Sequence, residues 1–272
     1  MNQTANTLHG PTGVSGQPPA VLALTISDIL EVLGAGLRDF RAAPLYGLVV
    51  SGIYTVGGWM LILLLVQFDL PYLVYPLAAG FALIAPFVAT AFYAISRGLE
   101  RNEALSWGQI GGLVWGASRR DLGWMALVTG FTLFIWMDIA ALLFFGFLGL
   151  KSFSAPELLR EIFTTPMGLL FFAIGNGVGA IIAFAVFSFS VTSFPMLFDR
   201  DVDFVTAMIS SVKVVLGNRR AMIVWCLTIA LLIGLSLLSG LIGLLVVLPV
   251  LGHASWHLYR RALAPAPEVG SD

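Results

Sequence analysis

Three sets of residues place polar chemistry inside long apolar runs of this 272-residue sequence. His253 and His257 stand four apart, so on a helix both imidazoles share one face. That spacing can hold a metal, and His253 and His257 are the weak metal candidate here. Two histidines on one helix cannot grip opposite faces of a haem, and no third ligand is evident at their depth. The competing reading is a hydrogen-bonded network with the hydroxyls of Ser188, Ser190, Thr192, Ser193, Thr90 and Tyr93. Asp138 lies within Trp136-Met137-Asp138-Ile139-Ala140. A charge at mid-membrane costs about 2.5–3.5 kcal/mol even on lenient insertion scales, so Asp138 is expected to face the bundle interior, paired or protonated. It then serves either as a proton- or cation-responsive site or as a neutral, hydrogen-bonded carboxyl. Asn176 sits in Gly175-Asn176-Gly177-Val178-Gly179, where small residues four apart favour close helix packing and an unwound substrate contact is the alternative. No phosphate-binding glycine loop, Ser-His-Asp set or pair of catalytic carboxylates is legible. No catalytic or cofactor-binding residue is assigned, and no cofactor is called for.

The elements that must position these residues follow from composition. Hydrophobic residues make up 58% of the chain and charged residues 11%. A soluble domain carries roughly a quarter charged residues, so lipid must solvate much of this one. The net charge of −1 argues against nucleic-acid partners. Cys226 is the single cysteine, which excludes an internal disulfide and a multi-cysteine metal site. The first 20 residues hold no Lys or Arg and no apolar core, so no cleavable signal peptide is read there; the first span acts as an anchor, and His9 is a solvated bystander.

An all-α, polytopic membrane protein follows, with six apolar stretches each long enough to cross a bilayer, at about residues 45–67, 72–96, 122–150, 167–195, 221–239 and 241–259. The last two are split at Ser239-Gly240; a single kinked helix is the alternative. Tails occupy about residues 1–24 and 263–272, both taken as disordered and cytoplasmic, around one membrane domain over about 25–262. Amphipathic helices over about 27–41, 106–118 and 203–217 are too polar to span and should lie along the cytoplasmic interface. Their apolar stripes are Ile29, Leu33, Leu37 and Phe40; Trp107, Ile110 and Val114; and Val205, Met208, Ile209, Val212 and Leu216. A further helix between Ser154 and Thr164 lies on the far side. Of 14 basic residues, all but Lys151 and Arg160 then fall on one face, the cytoplasmic one. The tryptophans Trp59, Trp107, Trp115, Trp124, Trp225 and Trp256 are read mostly as an interfacial belt.

One unit is used three times: interfacial helix, inward-starting span, returning span. Pro86 and Pro249 stand eleven positions before Arg97 and Arg260, Phe189 holds that offset before Arg200, and Tyr93, Met196 and Trp256 fill a common offset. All three units start on one side, so the implied pseudo-symmetry axis runs along the membrane normal.

The runs Pro195-Met196-Leu197-Phe198-Asp199-Arg200-Asp201-Val202-Asp203, Ala207-Met208, Ser210-Ser211 and Asn218, the closing Gly252-His253-Ala254-Ser255-Trp256-His257-Leu258-Tyr259-Arg260, and Asp39-Phe40-Arg41-Ala42-Ala43-Pro44 resemble a bacterial family of integral membrane proteins, domain of unknown function 2189. The resemblance covers roughly residues 25–262. It implies a bacterial cytoplasmic (inner) membrane location and supplies no activity. Some members are labelled as related to cytochrome c oxidase subunit I; three histidines are too few for that haem-copper core. Three function classes remain: a non-catalytic scaffold, assembly or accessory factor whose partners are the bilayer and other membrane proteins; a small-molecule or ion carrier using Asp138; and a metal- or haem-dependent enzyme using His253 and His257.

Overall fold

The computed structural model describes residues 19–67, 88–118, 121–150, 153 and 155–265, and these residues are helical with no strand among them. The helices are α1 (Ile26–Ala42), α2 (Pro44–Gln67), α3 (88–100), α4 (Trp107–Ser118), α5 (Asp121–Leu148), α6 (Ala155–Thr164), α7 (Pro166–Ser190), α8 (Ser193–Asp199), α9 (Phe204–Gly217), α10 (Arg219–Leu238) and α11 (Leu244–Ala262). Among the described residues, four helical stretches are long and apolar enough to cross a membrane: Pro44–Leu64, Leu122–Leu148, Pro166–Asp199 and Arg219–Leu238. The turn at Phe68–Pro71, most of the stretch expected over 72–96, Pro86, Arg119, Arg120, Lys151, His9 and the far ends of both tails lie outside the described residues.

The core is built around α11, whose Leu251, Gly252, His253, Ala254, Trp256, Leu258 and Tyr259 are buried. Its neighbours approach closely because the contact residues are small. A Cβ on Gly36 of α1 would stand 2.5 Å from the Val250 carbonyl oxygen and 2.7 Å from the Ala254 nitrogen. One on Gly252 would strike the Phe92 ring at 2.3 Å. The buried face of α1 is therefore Ile29, Val32 and Gly36, rotated from the expected Ile29, Leu33, Leu37 and Phe40 stripe because a glycine track, not a leucine ridge, seats against α11. Pro249 lacks the N–H that would bond the Leu245 carbonyl. The Ser51 hydroxyl of α2, 2.8 Å from the Gly47 carbonyl of its own helix, also comes within 3.1 Å of the Leu245 carbonyl and shares its one proton between the two.

The last apolar block divides. Gly240 and Leu241 adopt φ values of +66° and +69°, outside helical space, and the Trp59 Nε1–H reaches the Gly240 carbonyl at 2.6 Å. α11 accordingly begins at Leu244 rather than at Leu241.

The fourth stretch, expected over 167–195, lies within the helical stretch Pro166–Asp199, whose ladder breaks at Thr192. In a continuous helix Thr192 N–H would donate to the Ser188 carbonyl. Ser211 of α9 inserts there, donating to Ser188 O at 2.8 Å and accepting from Thr192 N at 3.2 Å, while Pro195 removes the next N–H to Val191. α9 thus presents Ala207, Ser210, Ser211, Val214 and Val215 inward, leaving Val205, Ile209 and Leu216 exposed.

The tails also depart from expectation. Leu22 N–H donates to the Ala262 carbonyl at 2.9 Å, Ala264 N–H to the Ala20 carbonyl at 2.9 Å, and Asn218 clamps the strap from the side. Its Oδ1 accepts from Leu24 N at 2.7 Å and its Nδ2 donates to Leu22 O at 3.0 Å. Residues 20–24 and 263–264 therefore belong to the folded body.

Candidate functional site

The polar side chains gather where the C-terminal ends of α3, α8 and α11 meet the C-terminal half of α1. Each is placed by its helix. Ser96 and Glu100 share one face of α3 at i and i+4; His253, His257 and Arg260 follow one another on α11 at i, i+4 and i+7; Asp39 arrives on the last turn of α1. Aromatic rings fill the space beneath them: Tyr93 stacks with Trp256 at 6.4 Å, and Phe198 lies edge-on to Trp256 at 5.9 Å.

Asp39 Oδ2 is the hub. The Ser96 hydroxyl donates to it at 2.7 Å, and His257 Nε2 lies 2.7 Å from the same oxygen. Ser96 has one proton, so His253 Nδ1, 2.8 Å from Ser96 Oγ, must be the donor in that bond. His253 Nε2 then presents a lone pair, buried and without a partner among the described residues. Burial alone would push the Asp39 carboxyl up, but the hydrogen bonds from His257 and Ser96 and the nearby imidazoles outweigh it and hold the group below the usual carboxylate range.

A second hub follows on the other side of α11. Tyr259 O–H donates to Asp199 Oδ2 at 2.8 Å and accepts from Arg200 Nε at 2.7 Å, and Arg200 Nη2 bonds the Ala264 carbonyl at 2.6 Å. Arg260 bridges the hubs, 3.6 Å from Glu100 and 3.8 Å from Asp199, and Glu100 in turn lies 3.7 Å from His257 Nδ1. Arg97 covers the Phe198 ring at 4.5 Å. Outside, Arg261 pairs with Asp28 at 2.8 Å and Glu31 at 2.7 Å, fastening the start of α1 to the end of α11.

Chemically this is a clasp. Asp39, Ser96 and His253 include the residue types of a hydrolytic triad, but in the wrong order: the serine proton goes to the carboxylate, the imidazole donates to the serine, and Ser96 is fully buried. His253 Nδ1 and His257 Nε2 are engaged with Ser96 and Asp39. Among the described residues no group of three or more His, Cys, Asp or Glu side chains is arranged to hold a metal ion.

The remaining candidate residues are not brought here. Ser188 and Ser190 bond carbonyls of their own helix, at Phe184 and Phe187, so the network runs through Asp39 and Ser96 instead of the hydroxyls of α7. Asp138, expected inside the bundle, is exposed on α5 with no partner among the described residues. Asn176 donates to the Phe172 carbonyl one turn back and lines a shallow groove between α5 and α7 with Trp136, Ala140 and Gly179. Trp225 and Trp256 are buried, with no partner for their Nε1 groups among the described residues, so they are core residues and not part of a belt, whereas Trp107, Trp115 and Trp124 are exposed.

Asp39 was within reach of sequence reasoning as part of Asp39-Phe40-Arg41-Ala42-Ala43-Pro44, but pairing it with His257 spans 218 positions and no periodicity signals it. The family model described as Predicted integral membrane protein (DUF2189) matches residues 74–199. No curated protein and no solved structure matches the chain.

Proposed function

From the match of residues 74–199 to the DUF2189 model of predicted integral membrane proteins, we propose that the chain is a non-catalytic accessory, scaffold or assembly protein of the bacterial cytoplasmic membrane. The observation that carries this reading is a division of labour. The polar groups at one end of α1, α3, α8 and α11 are consumed in holding those helices to one another, while the long apolar α5–α7 hairpin is left uncovered. Phe131, Phe134 and Leu142 on α5 and Leu169 and Ile181 on α7 are all exposed. A body closed by a polar clasp, with an uncovered membrane arm, suits a protein that holds others in place. The carrier reading would need Asp138 on a path through the bundle, and Asp138 points away from it.

On this proposal the chain crosses the bilayer six times with both ends in the cytoplasm. The stretch expected over 72–96, whose described end is α3, and α11 with its central proline are the two proposed crossings beyond the four found among the described residues. Support comes from Arg97, Arg200 and Arg260, which meet at one end and would share the cytoplasmic side. Tyr93, Met196 and Trp256, four positions before those arginines, are all buried within one core. That suits three repeats about an axis along the membrane normal, with α1, α4 and α9 as their leading interfacial helices. Cross-linking in native membranes followed by purification of the full chain tests the proposal. A partner membrane protein recovered at fixed stoichiometry is expected; recovery of the chain alone overturns it.

A further inference from the structure

We infer that the outer face of α5 is a docking seam for a transmembrane helix of another protein that carries a Lys or Arg at mid-membrane depth, with Asp138 as its counter-charge. This rests on the accessory reading above and names the partner's chemistry. Leu127, Phe131, Phe134, Asp138, Ala141 and Phe145 follow one another at intervals of 4, 3, 4, 3 and 4, and each is exposed. That alternation is the seam of a left-handed helix pair, in which each residue fills a hole on the facing helix. α7 does not cover it, because α5 turns Trp136, Ala140 and Leu143 towards α7, and Asp138 lies two residues, about 200°, from Trp136.

The charge selects the occupant. Asp138 lies near the middle of the 28-residue α5, where lipid cannot satisfy a carboxylate. The 14 basic residues of this chain all lie outside the six apolar stretches, so none is offered at that depth. A second copy docked on the same seam would share this copy's orientation in the bilayer and set Asp138 against Asp138, like charge against like charge. A foreign helix with a central base neutralises the carboxylate and fills the apolar seam in one contact.

The test uses the full chain with Cys226→Ala and Phe134→Cys, co-reconstituted in vesicles with single-span poly-leucine/alanine peptides that bear one cysteine and a central Lys, Leu or Asp. Disulfide capture of the Lys peptide at least tenfold above the Leu peptide is expected. Asp138→Leu should abolish that preference, and Asp138→Lys should transfer it to the Asp peptide. Moving the cysteine to Ile181 on α7 should give no preference. Equal capture of the Lys and Leu peptides, a preference that survives Asp138→Leu, or cross-linking of Phe134→Cys only to a second copy overturns the inference. The two readings fail separately. A native complex that persists unchanged with Asp138→Leu sinks this inference and leaves the accessory role standing. A charge preference in vesicles with no native complex does the reverse.

Discussion

Replacing Asp39 by alanine removes the hub of the clasp, and the structure sets the size of the effect. Asp39 Oδ2 takes two bonds of 2.7 Å, from Ser96 and His257, and only 16% of its side chain is exposed. A hydrogen bond to a charged group contributes about 1.5–3 kcal/mol, so the two together would reach about 3–6 kcal/mol if nothing rearranged. Two compensations reduce this. Ser96 can turn its proton towards His253 Nδ1 once His253 shifts its own proton to Nε2, and His257, 20% exposed, can find water. A net loss of about 2–4 kcal/mol remains. Asp39→Asn, which keeps one acceptor oxygen and loses the charge, should cost about 1–2 kcal/mol. Equilibrium unfolding of the detergent-solubilised protein in graded SDS, followed by tryptophan fluorescence, measures both. A double-mutant cycle with His257→Ala should give a coupling of about 1.5 kcal/mol or more. If Asp39→Ala unfolds within about 0.5 kcal/mol of the parent, or the cycle shows no coupling, the clasp does not hold α1 to α11.

The clasp also predicts a pH response. Asp39 titrates below the usual carboxylate range in the folded state, so its contribution is complete above about pH 4 and is lost as pH falls through its own lowered value. Acid should therefore release α1 before the rest unfolds, and protection of α1 amides from hydrogen exchange should fall in that window in the parent and less in Asp39→Asn, where Asp28 still titrates beside Arg261. Gly36→Leu should cost at least about 1–3 kcal/mol, because the added side chain meets the α11 backbone, which cannot turn aside; an unfolding curve unchanged from the parent would mean α1 and α11 do not touch. Tyr259→Phe removes one donor to Asp199 and one acceptor for Arg200, a loss of about 1–3 kcal/mol in the same SDS titration, and no loss would show that the second hub carries no stability. Ser211→Ala should cost about 1–2 kcal/mol by leaving Thr192 N–H and the Ser188 carbonyl unpaired at the helix break.

Much of the architecture was legible because it rests on local signals. Thr25 with Asp28 forms the capping box that starts α1, Asp203 caps α9 through Thr206 N at 2.9 Å, and Ser106 accepts from Gln109 N at the start of α4. Chain-breaking Ser239-Gly240 was equally readable, since a turn there needs only local backbone freedom. What escaped depends on contacts distant in sequence. Nothing in the α7 sequence announces that Ser211 will intrude at Thr192. Long apolar runs also conceal orientation: α5 and α7 are hydrophobic on every side, so no moment tells whether Asp138 points inward or outward. The energetic rule that buried charges pair predicted an interior Asp138, and it holds only if the chain folds without partners. The histidines were correctly placed on one helical face, yet their nearest polar neighbours came from α1 and α3 rather than from the hydroxyl-rich α7.

The central claim is that the clasp closes the cytoplasmic side while the α5–α7 hairpin crosses to the other. Single cysteines at Arg101, Arg160 and Arg261, each in the Cys226→Ala background, can be probed in intact cells with a membrane-impermeant thiol reagent. Labelling of the cysteine at 160 from outside, with those at 101 and 261 protected until the membrane is opened, is the predicted result. Labelling of 101 and 261 from opposite sides, or of all three from the same side, would contradict it.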